Sequence, residues 1–237
     1  MIIGRALWFP VAAALTLNAC QSTAPEAPAP STPITARGQE PGWILHLDQH
    51  TLSLSYHYGE DQITTNAPKP RRTQNGVRYQ TRESGEHLVV DITHNDCRDS
   101  MSGMPYPYSA RVRIQGETLQ GCAGDPRQLL LGEPWLVESI NGEETTDRTR
   151  TTIQFTDEGR IQGQSGCNRY FGRYQLTGEG LHTQDLAQTR MACPDPLMRQ
   201  EDRMLKVLRE LRRFEQPDEG VLVLYGMDNQ RLRASRP

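Results

Sequence analysis

Apolar and polar residues alternate along much of this chain with a period of two. Trp43-Ile-Leu-His-Leu, Thr51-Leu-Ser-Leu-Ser-Tyr and His87-Leu-Val-Val-Asp-Ile all carry the pattern, which places successive side chains on opposite faces and predicts half-buried strands. Ala110-Arg-Val-Arg-Ile-Gln continues it, and Gly116-Glu117 is expected to turn the chain into Thr118-Leu-Gln-Gly-Cys122. No helical spacing interrupts the stretch from Ala36 to Asp125, so this half is expected to form a small antiparallel sheet or barrel.

From Leu129 onward the grammar is that of hairpins. Trp135-Leu-Val-Glu-Ser-Ile runs into Asn141-Gly142, a dipeptide suited to a turn whose central residues both need positive φ. Thr151-Thr-Ile-Gln-Phe-Thr, the turn Asp157-Glu-Gly159 and Arg160-Ile-Gln-Gly repeat the scheme, and Val221-Leu-Val-Leu-Tyr225 is a further strand. One segment differs: Leu197, Met204, Leu205, Leu208 and Leu211 share a helical stripe. Asp195 suits an N-cap and Pro196 the first helical position, predicting a helix over about 196–214. Arg199, Arg203, Lys206, Arg209, Arg212 and Arg213, mixed with Glu201, Asp202 and Glu210, are expected opposite, as a solvated face whose i,i+4 charges offset each other. The chain is expected to be mainly β, of α+β class, with two small antiparallel β domains over residues 38–127 and 129–237.

The amino terminus follows another pattern. Arg5 precedes an apolar run from Ala6 to Leu17, interrupted by Pro10; this is signal-peptide grammar, and the run is short of the roughly twenty residues that span a bilayer. Leu17-Asn18-Ala19-Cys20 resembles the lipobox of bacterial lipoproteins. That resemblance implies removal of residues 1–19 and lipidation of Cys20. With Gln21 in place of an Asp after the cysteine, it also implies an anchor in the outer membrane, on its periplasmic face. Residues 20–37 are dominated by Ser, Thr, Ala and Pro, with prolines at Pro25, Pro28, Pro30 and Pro33. Such a segment cannot bury a core and is expected to act as a tether reaching on the order of 50 Å at about 3 Å per residue.

Without Cys20, four cysteines remain: Cys97, Cys122, Cys167 and Cys193. In an exported chain an even set predicts two disulfides, with three pairings possible. Pairing Cys97 with Cys122 and Cys167 with Cys193 keeps each bridge inside one half. A zinc site is disfavoured because no Cys-x-x-Cys pair is present. The chain is 35% hydrophobic, with a mean hydropathy of -0.67, so the cores are expected to be small. A formal net charge of -3 offers no basic excess for nucleic acid.

Two stretches carry family resemblances. Ala36-Arg37-Gly38-Gln39-Glu40-Pro41-Gly42-Trp43, the turn-rich segment Asn95 to Tyr108, and Gly121-Cys122 resemble an uncharacterised domain of bacterial envelope lipoproteins that brings no activity with it. Trp135, Asn141-Gly142, Ser165-Gly166-Cys167-Asn168-Arg169-Tyr170-Phe171-Gly172-Arg173-Tyr174, Thr189-Arg190-Met191-Ala192-Cys193 and Glu201 are similar to the META domain, the HslJ-like family, over about Pro134 to Ala234. This second resemblance implies a curved antiparallel sheet packed on one helix. It also implies an envelope location and a loose association with heat and antibiotic stress, without a defined reaction.

Candidate chemistry changes this picture little. Gly163-Gln-Ser165-Gly-Cys167 lacks the final glycine of a nucleophile elbow. His46 and His50 have helical metal spacing, but on a strand they would stand roughly 13 Å apart. Met101, Met104 and Cys97 are soft enough for copper, yet the cysteine is expected in a bridge. Glu60-Asp61 and Glu143-Glu144 read as solvated acids in turns. No catalytic residue, metal or cofactor is therefore expected. The candidate binding surface is Asn168, Arg169 and Tyr170 beside Cys167, with Tyr106 and Tyr108 beside the first bridge, because loops on a rigid scaffold carry function. A structural role competes with it, the tyrosines packing in the sheet and Asn168 holding a turn. The sequence reads as a non-catalytic envelope lipoprotein, a binding or stress-protective module with membrane contact through Cys20 and a periplasmic protein partner. An inhibitor of an envelope hydrolase, lysozyme or a protease, is the alternative.

Overall fold

The computed structural model describes residues 33–83, 86–146 and 151–236; the expected signal peptide, the Cys20 anchor and the tether up to residue 32 lie outside them. In the first half the strands are β1 (Ile34–Gln39), β2 (Gly42–Leu47), β3 (Thr51–Tyr56), β4 (Asp61–Asn66), β5 (Arg71–Thr73) and β6 (Gly76–Glu83). They continue with β7 (Glu86–Thr93), β8 (Cys97–Arg98), β9 (Pro105–Tyr106), β10 (Tyr108–Ile114) and β11 (Glu117–Ala123). Nine of them form one antiparallel sheet in the order β4-β3-β2-β1-β11-β10-β7-β6-β5, and β8 pairs with β9 apart from it.

The period-two pattern explains the shape of this sheet. Leu47, Leu52, Leu54, Ile92, Val112 and Ile114 alternate with polar neighbours and, with Leu45 and Val90, are buried in one cluster. Residues of β3, β6 and β7, far apart in the strand order, belong to that one cluster, so the sheet is curled with its apolar face inward and its polar face outward. Trp43 fixes the curl at β1. Its indole donates to the Gln120 carbonyl at 3.1 Å, and a Cβ on Gly38 would lie 2.2 Å from the indole nitrogen, so only glycine admits the ring.

Two expectations for this half are corrected. The sheet begins at Ile34, inside the segment read as tether, with Ile34 and Ala36 buried and Thr35 and Arg37 turned outward. Four residues of modest hydrophobicity after a Pro-rich string give a faint signal; pairing with both β2 and β11 supplies what propensity does not. The β10–β11 turn is Gln115-Gly116, with φ of 50° and 85°, one residue earlier than expected. The register of Ile114 opposite Glu117 makes it a two-residue loop of the type that matches strand twist.

The second half contains β12 (Trp135–Ile140), β13 (Glu143–Glu144), β14 (Thr152–Phe155), β15 (Arg160–Gln164), β16 (Arg169–Thr177) and β17 (Gly180–Gln188). These are followed by α1 (Asp195–Arg209), β18 (Arg213–Glu215), β19 (Val221–Tyr225) and β20 (Arg231–Ser235). The sheet order is β17-β16-β15-β14-β12-β20-β19-β18, with β13 paired to β12. Asn141 and Gly142 form the expected turn, with φ of 55° and 88°. Met204, Leu205, Val207 and Leu208 bury the inner stripe of α1 against the sheet.

The helix is shorter than the expected 196–214. It ends at Arg209, and Arg213–Glu215 is a strand paired with β19. Phe214 is buried there, and the ladder with β19 supplies the segment's backbone hydrogen bonds. Asp195 is the first helical residue and makes no side-chain cap bond, the N-cap being Pro194. Its carboxylate still faces the positive end of the helix dipole.

The halves pack on one another. Met104, Tyr106 and Cys122 belong to the same apolar cluster as Leu130, Trp135 and Phe214. The connecting segment, a 3-10 turn at Pro126–Leu129, is tied to the second half where Gln216 donates to the Leu129 carbonyl at 2.8 Å.

Candidate functional site

The most elaborate polar constellation lies where α1 crosses the loop between β15 and β16. Gln200 and Glu201 point inward from the helix and are 1% and 0% exposed. The Glu201 carboxylate accepts the Ser165 hydroxyl at 2.5 Å and the Asn168 backbone N–H at 2.9 Å on Oε2. On Oε1 it accepts the Asn168 side-chain amide at 3.0 Å and the Gln188 amide at 3.1 Å. Gln200 donates to the Thr151 hydroxyl at 3.0 Å and to the Ser165 carbonyl at 3.2 Å, and accepts the Thr146 N–H at 2.8 Å. A buried carboxylate is tolerated where such donors replace its hydration.

This corrects the placing of Glu201 on the solvated face. Between Gln200 and Leu205 the helix buries Gln200, Glu201, Met204 and Leu205 together, a broader inward face than the apolar stripe suggests. Hydropathy alone assigns a Glu outward; what could have flagged this one is its membership of the family motif beside Ser165 and Asn168.

Both expected disulfides are present, Cys97–Cys122 and Cys167–Cys193. The second joins the Ser165–Asn168 loop to the strand-free segment after β17. Asn168 holds the same segment by accepting the Thr189 hydroxyl at 2.7 Å and the Met191 N–H at 2.8 Å. Covalent and polar ties thus converge on a few residues. In this geometry both Glu201 carboxylate oxygens accept hydrogen bonds from loop and strand residues, an arrangement that holds those loops in place.

The candidate binding residues separate accordingly. Asn168 and Tyr170 are each 1% exposed, which corrects their reading as surface. The Tyr170 hydroxyl donates to the Thr152 carbonyl at 2.9 Å, and burial pushes its phenol well above the ordinary value. Gly163 is required beneath it, because a Cβ there would approach the Thr152 carbonyl oxygen to 2.0 Å. Arg169 is exposed. Tyr106 is buried and Tyr108 half-buried, but both line a cavity of about 330 Å³ with Arg37 and Asp125. Phe171, 57% exposed, was missed; strand alternation beside the inward Tyr170 was the available signal.

The other candidates do not assemble. Met101 is exposed, Met104 is buried and Cys97 is bridged, so the soft copper set is not brought together. Glu143 and Glu144 form β13 rather than a turn, and Glu143 pairs with Arg203 at 3.1 Å. Among the described residues no group of three or more His, Cys, Asp or Glu is placed to hold a metal.

A larger concavity, about 750 Å³, lies on the outward polar face of the first sheet under the loop that follows β7. On its floor Asp91 accepts Arg78 at 2.6 Å and Arg113 at 3.0 Å. Asp99 in the overhanging loop accepts Gln39 at 2.9 Å and the Ser102 N–H and hydroxyl at 2.8 Å each. Burial raises the Asp99 pKa, but these bonds outweigh it and hold the carboxyl below its ordinary value.

Residues 128–237 match the family model described as META domain. Heat shock protein HslJ of Escherichia coli (strain K12) is 35% identical over 78 residues, covering 32% of this chain and 55% of that protein; the chain thus spans about half the length of the curated relative. Among solved structures, one titled "NMR structure of the protein" is 30% identical, covers 47% of this chain and 94% of its own, and has a TM-score of 0.39. Another NMR structure, of a protein from Burkholderia xenovorans, is 27% identical with a TM-score of 0.36, covering 46% of this chain and 85% of its own. The C-terminal half of this chain, residues 128–237, carries a META domain similar to HslJ.

Proposed function

We propose that this chain is an exported, lipid-anchored envelope protein whose META domain is a non-catalytic binding or stress-protective module. The observation that carries the non-catalytic part is the Glu201 cluster, whose carboxylate is fully buried and accepts four hydrogen bonds from loop and strand residues. Export is supported by the Arg5, Ala6 to Leu17 and Cys20 pattern and by two disulfides, which persist in oxidising compartments. A stress-related role is carried over from the similarity to HslJ, a heat shock protein.

The first test is metabolic labelling with radioactive palmitate followed by separation of inner and outer membranes. Label on the native chain, absent from Cys20→Ala, with the native chain in the outer membrane, is the expected result; an unlabelled native chain overturns the anchor. The second is in-cell crosslinking from a photoreactive residue at the exposed Arg169. One dominant adduct identifies a protein partner, a hydrolase among the adducts supports the inhibitor alternative, and scattered adducts favour general stress protection.

A further inference from the structure

The concavity on the first sheet has features that no structural role uses up. Its volume of about 750 Å³ lies in the range of small-molecule and short-peptide sites. Two of its three acids are already committed: Asp91 lies between Arg78 and Arg113, and Asp99 is occupied by Gln39 and its own loop. Arg37 and Arg111, both lining the groove and both exposed, have no side-chain hydrogen bond or ion pair among the described residues. Arg98, on the overhanging loop, pairs among the described residues with Glu215 at 3.7 Å.

The register sets the distance between the two free cations. Arg37 of β1 lies opposite Cys122 of β11, which lies opposite Ser109 of β10, while Arg111 lies opposite Gln120. They are therefore two strands apart and offset by two residues, about 12 Å between backbones at ordinary sheet spacings. In an extended chain, side chains at i and i+4 lie on one face about 13 Å apart and match that span. The Cys97–Cys122 bridge pins the overhanging loop onto the strand between them, so this wall of the groove is fixed covalently. Glu40, at the β1–β2 turn, also lines it and adds an acid beside the arginines.

We propose that this groove binds a short acidic peptide in extended form, two of its carboxylates engaging Arg37 and Arg111 and an amino group facing Glu40. A guanidinium matches a carboxylate through two parallel hydrogen bonds, and the acid at Glu40 suits a ligand with both charges better than a bare anion.

Calorimetry on the detergent-solubilised full chain tests this with the peptide Glu-Ala-Ala-Ala-Glu, using Gln-Ala-Ala-Ala-Gln and inorganic phosphate as comparisons. The expected result is saturable one-to-one binding of the acidic peptide alone, weakened at least tenfold in the double variant Arg37→Gln with Arg111→Gln and unchanged in Arg209→Gln, on the exposed face of α1. Since neither groove arginine makes a side-chain bond, the double variant keeps its melting temperature and both disulfides. No saturable binding at millimolar peptide, equal binding by the double variant, or phosphate bound as tightly as the peptide would each overturn the proposal.

Discussion

Asn168 reaches both oxygens of the Glu201 carboxylate, its backbone N–H lying 2.9 Å from Oε2 and its side-chain amide 3.0 Å from Oε1. The helix thereby grips the loop that carries Cys167. Replacing Glu201 with Ala leaves the Ser165, Asn168 and Gln188 donors facing a void, and a buried donor without a partner costs about 1–3 kcal/mol. Glu201→Ala is expected to lose about 3 kcal/mol or more in urea unfolding. Glu201→Gln is expected to lose a similar amount, because its own N–H groups oppose donors. An unchanged midpoint in both would remove the structural role assigned to the cluster.

The Cys167–Cys193 bridge closes a loop with a sequence separation of 26. Loop closure of about this length restricts the unfolded chain by roughly 3.5 kcal/mol in the chain-entropy account. The Cys167→Ser, Cys193→Ser pair is expected to melt well below the native chain while retaining the Cys97–Cys122 bond. Equal melting temperatures, with the remaining disulfide verified by mass, would contradict this.

Acid should weaken the overhanging loop. The Asp99 carboxyl is raised by burial but lowered further by Gln39 and Ser102, for a net downward shift. A depressed folded pKa stabilises above the unfolded value, near 3.9, and that contribution is lost as pH falls through the folded value. Stability measured from pH 5 down to pH 2 should fall less steeply in Asp99→Asn than in the native chain. Parallel curves would show that Asp99 adds nothing to the acid limb.

His57 has the opposite sign. Its ring is held by Asp61 at 2.8 Å and Glu117 at 3.0 Å, and the Asp61 bond is the main cause of its raised pKa. Its contribution is full below the unfolded value of about 6.5 and disappears as pH rises through the folded value. An NMR titration should place His57 above about 6.5 and show it falling in Asp61→Asn; a value that does not move would exclude the pairing.

Arg236 closes the second half. Its guanidinium lies 3.6 Å above the Trp135 ring and donates to the Leu131 carbonyl at 2.7 Å and the Leu130 carbonyl at 2.5 Å; burial lowers its pKa to about 10. Arg236→Ala is expected to cost about 2 kcal/mol and to shift Trp135 emission. Arg236→Lys should not restore stability, since an ammonium does not present the same planar fork. Full recovery by Lys would mean that charge alone matters.

Legibility followed the range of the interaction. Strand alternation around Leu52, Leu54 and Val112 was readable because burial of one sheet face imposes a period of two locally. The Asn141-Gly142 turn was readable because its backbone angles select those residues. The pairing of Cys97 with Cys122 and of Cys167 with Cys193 followed from the division of the chain into halves. The strand at Ile34 was not readable, since its partners lie in β2 and in the distant β11. Glu201 and Asn168 were misplaced for the same reason: polarity assigns a side chain to water, and only partners from distant segments can pay the cost of bringing it inside.

The amino-acid order alone carried the β class, the helix after Cys193, the cysteine bridges and the family likeness of residues 128–237, all of which rest on periodicity, spacing or motif. Tertiary structure decided which polar residues are interior, where the helix stops and which arginines are left unpaired. Those outcomes depend on whether segments far apart in the chain meet and satisfy one another's hydrogen bonds, a condition that no local pattern encodes.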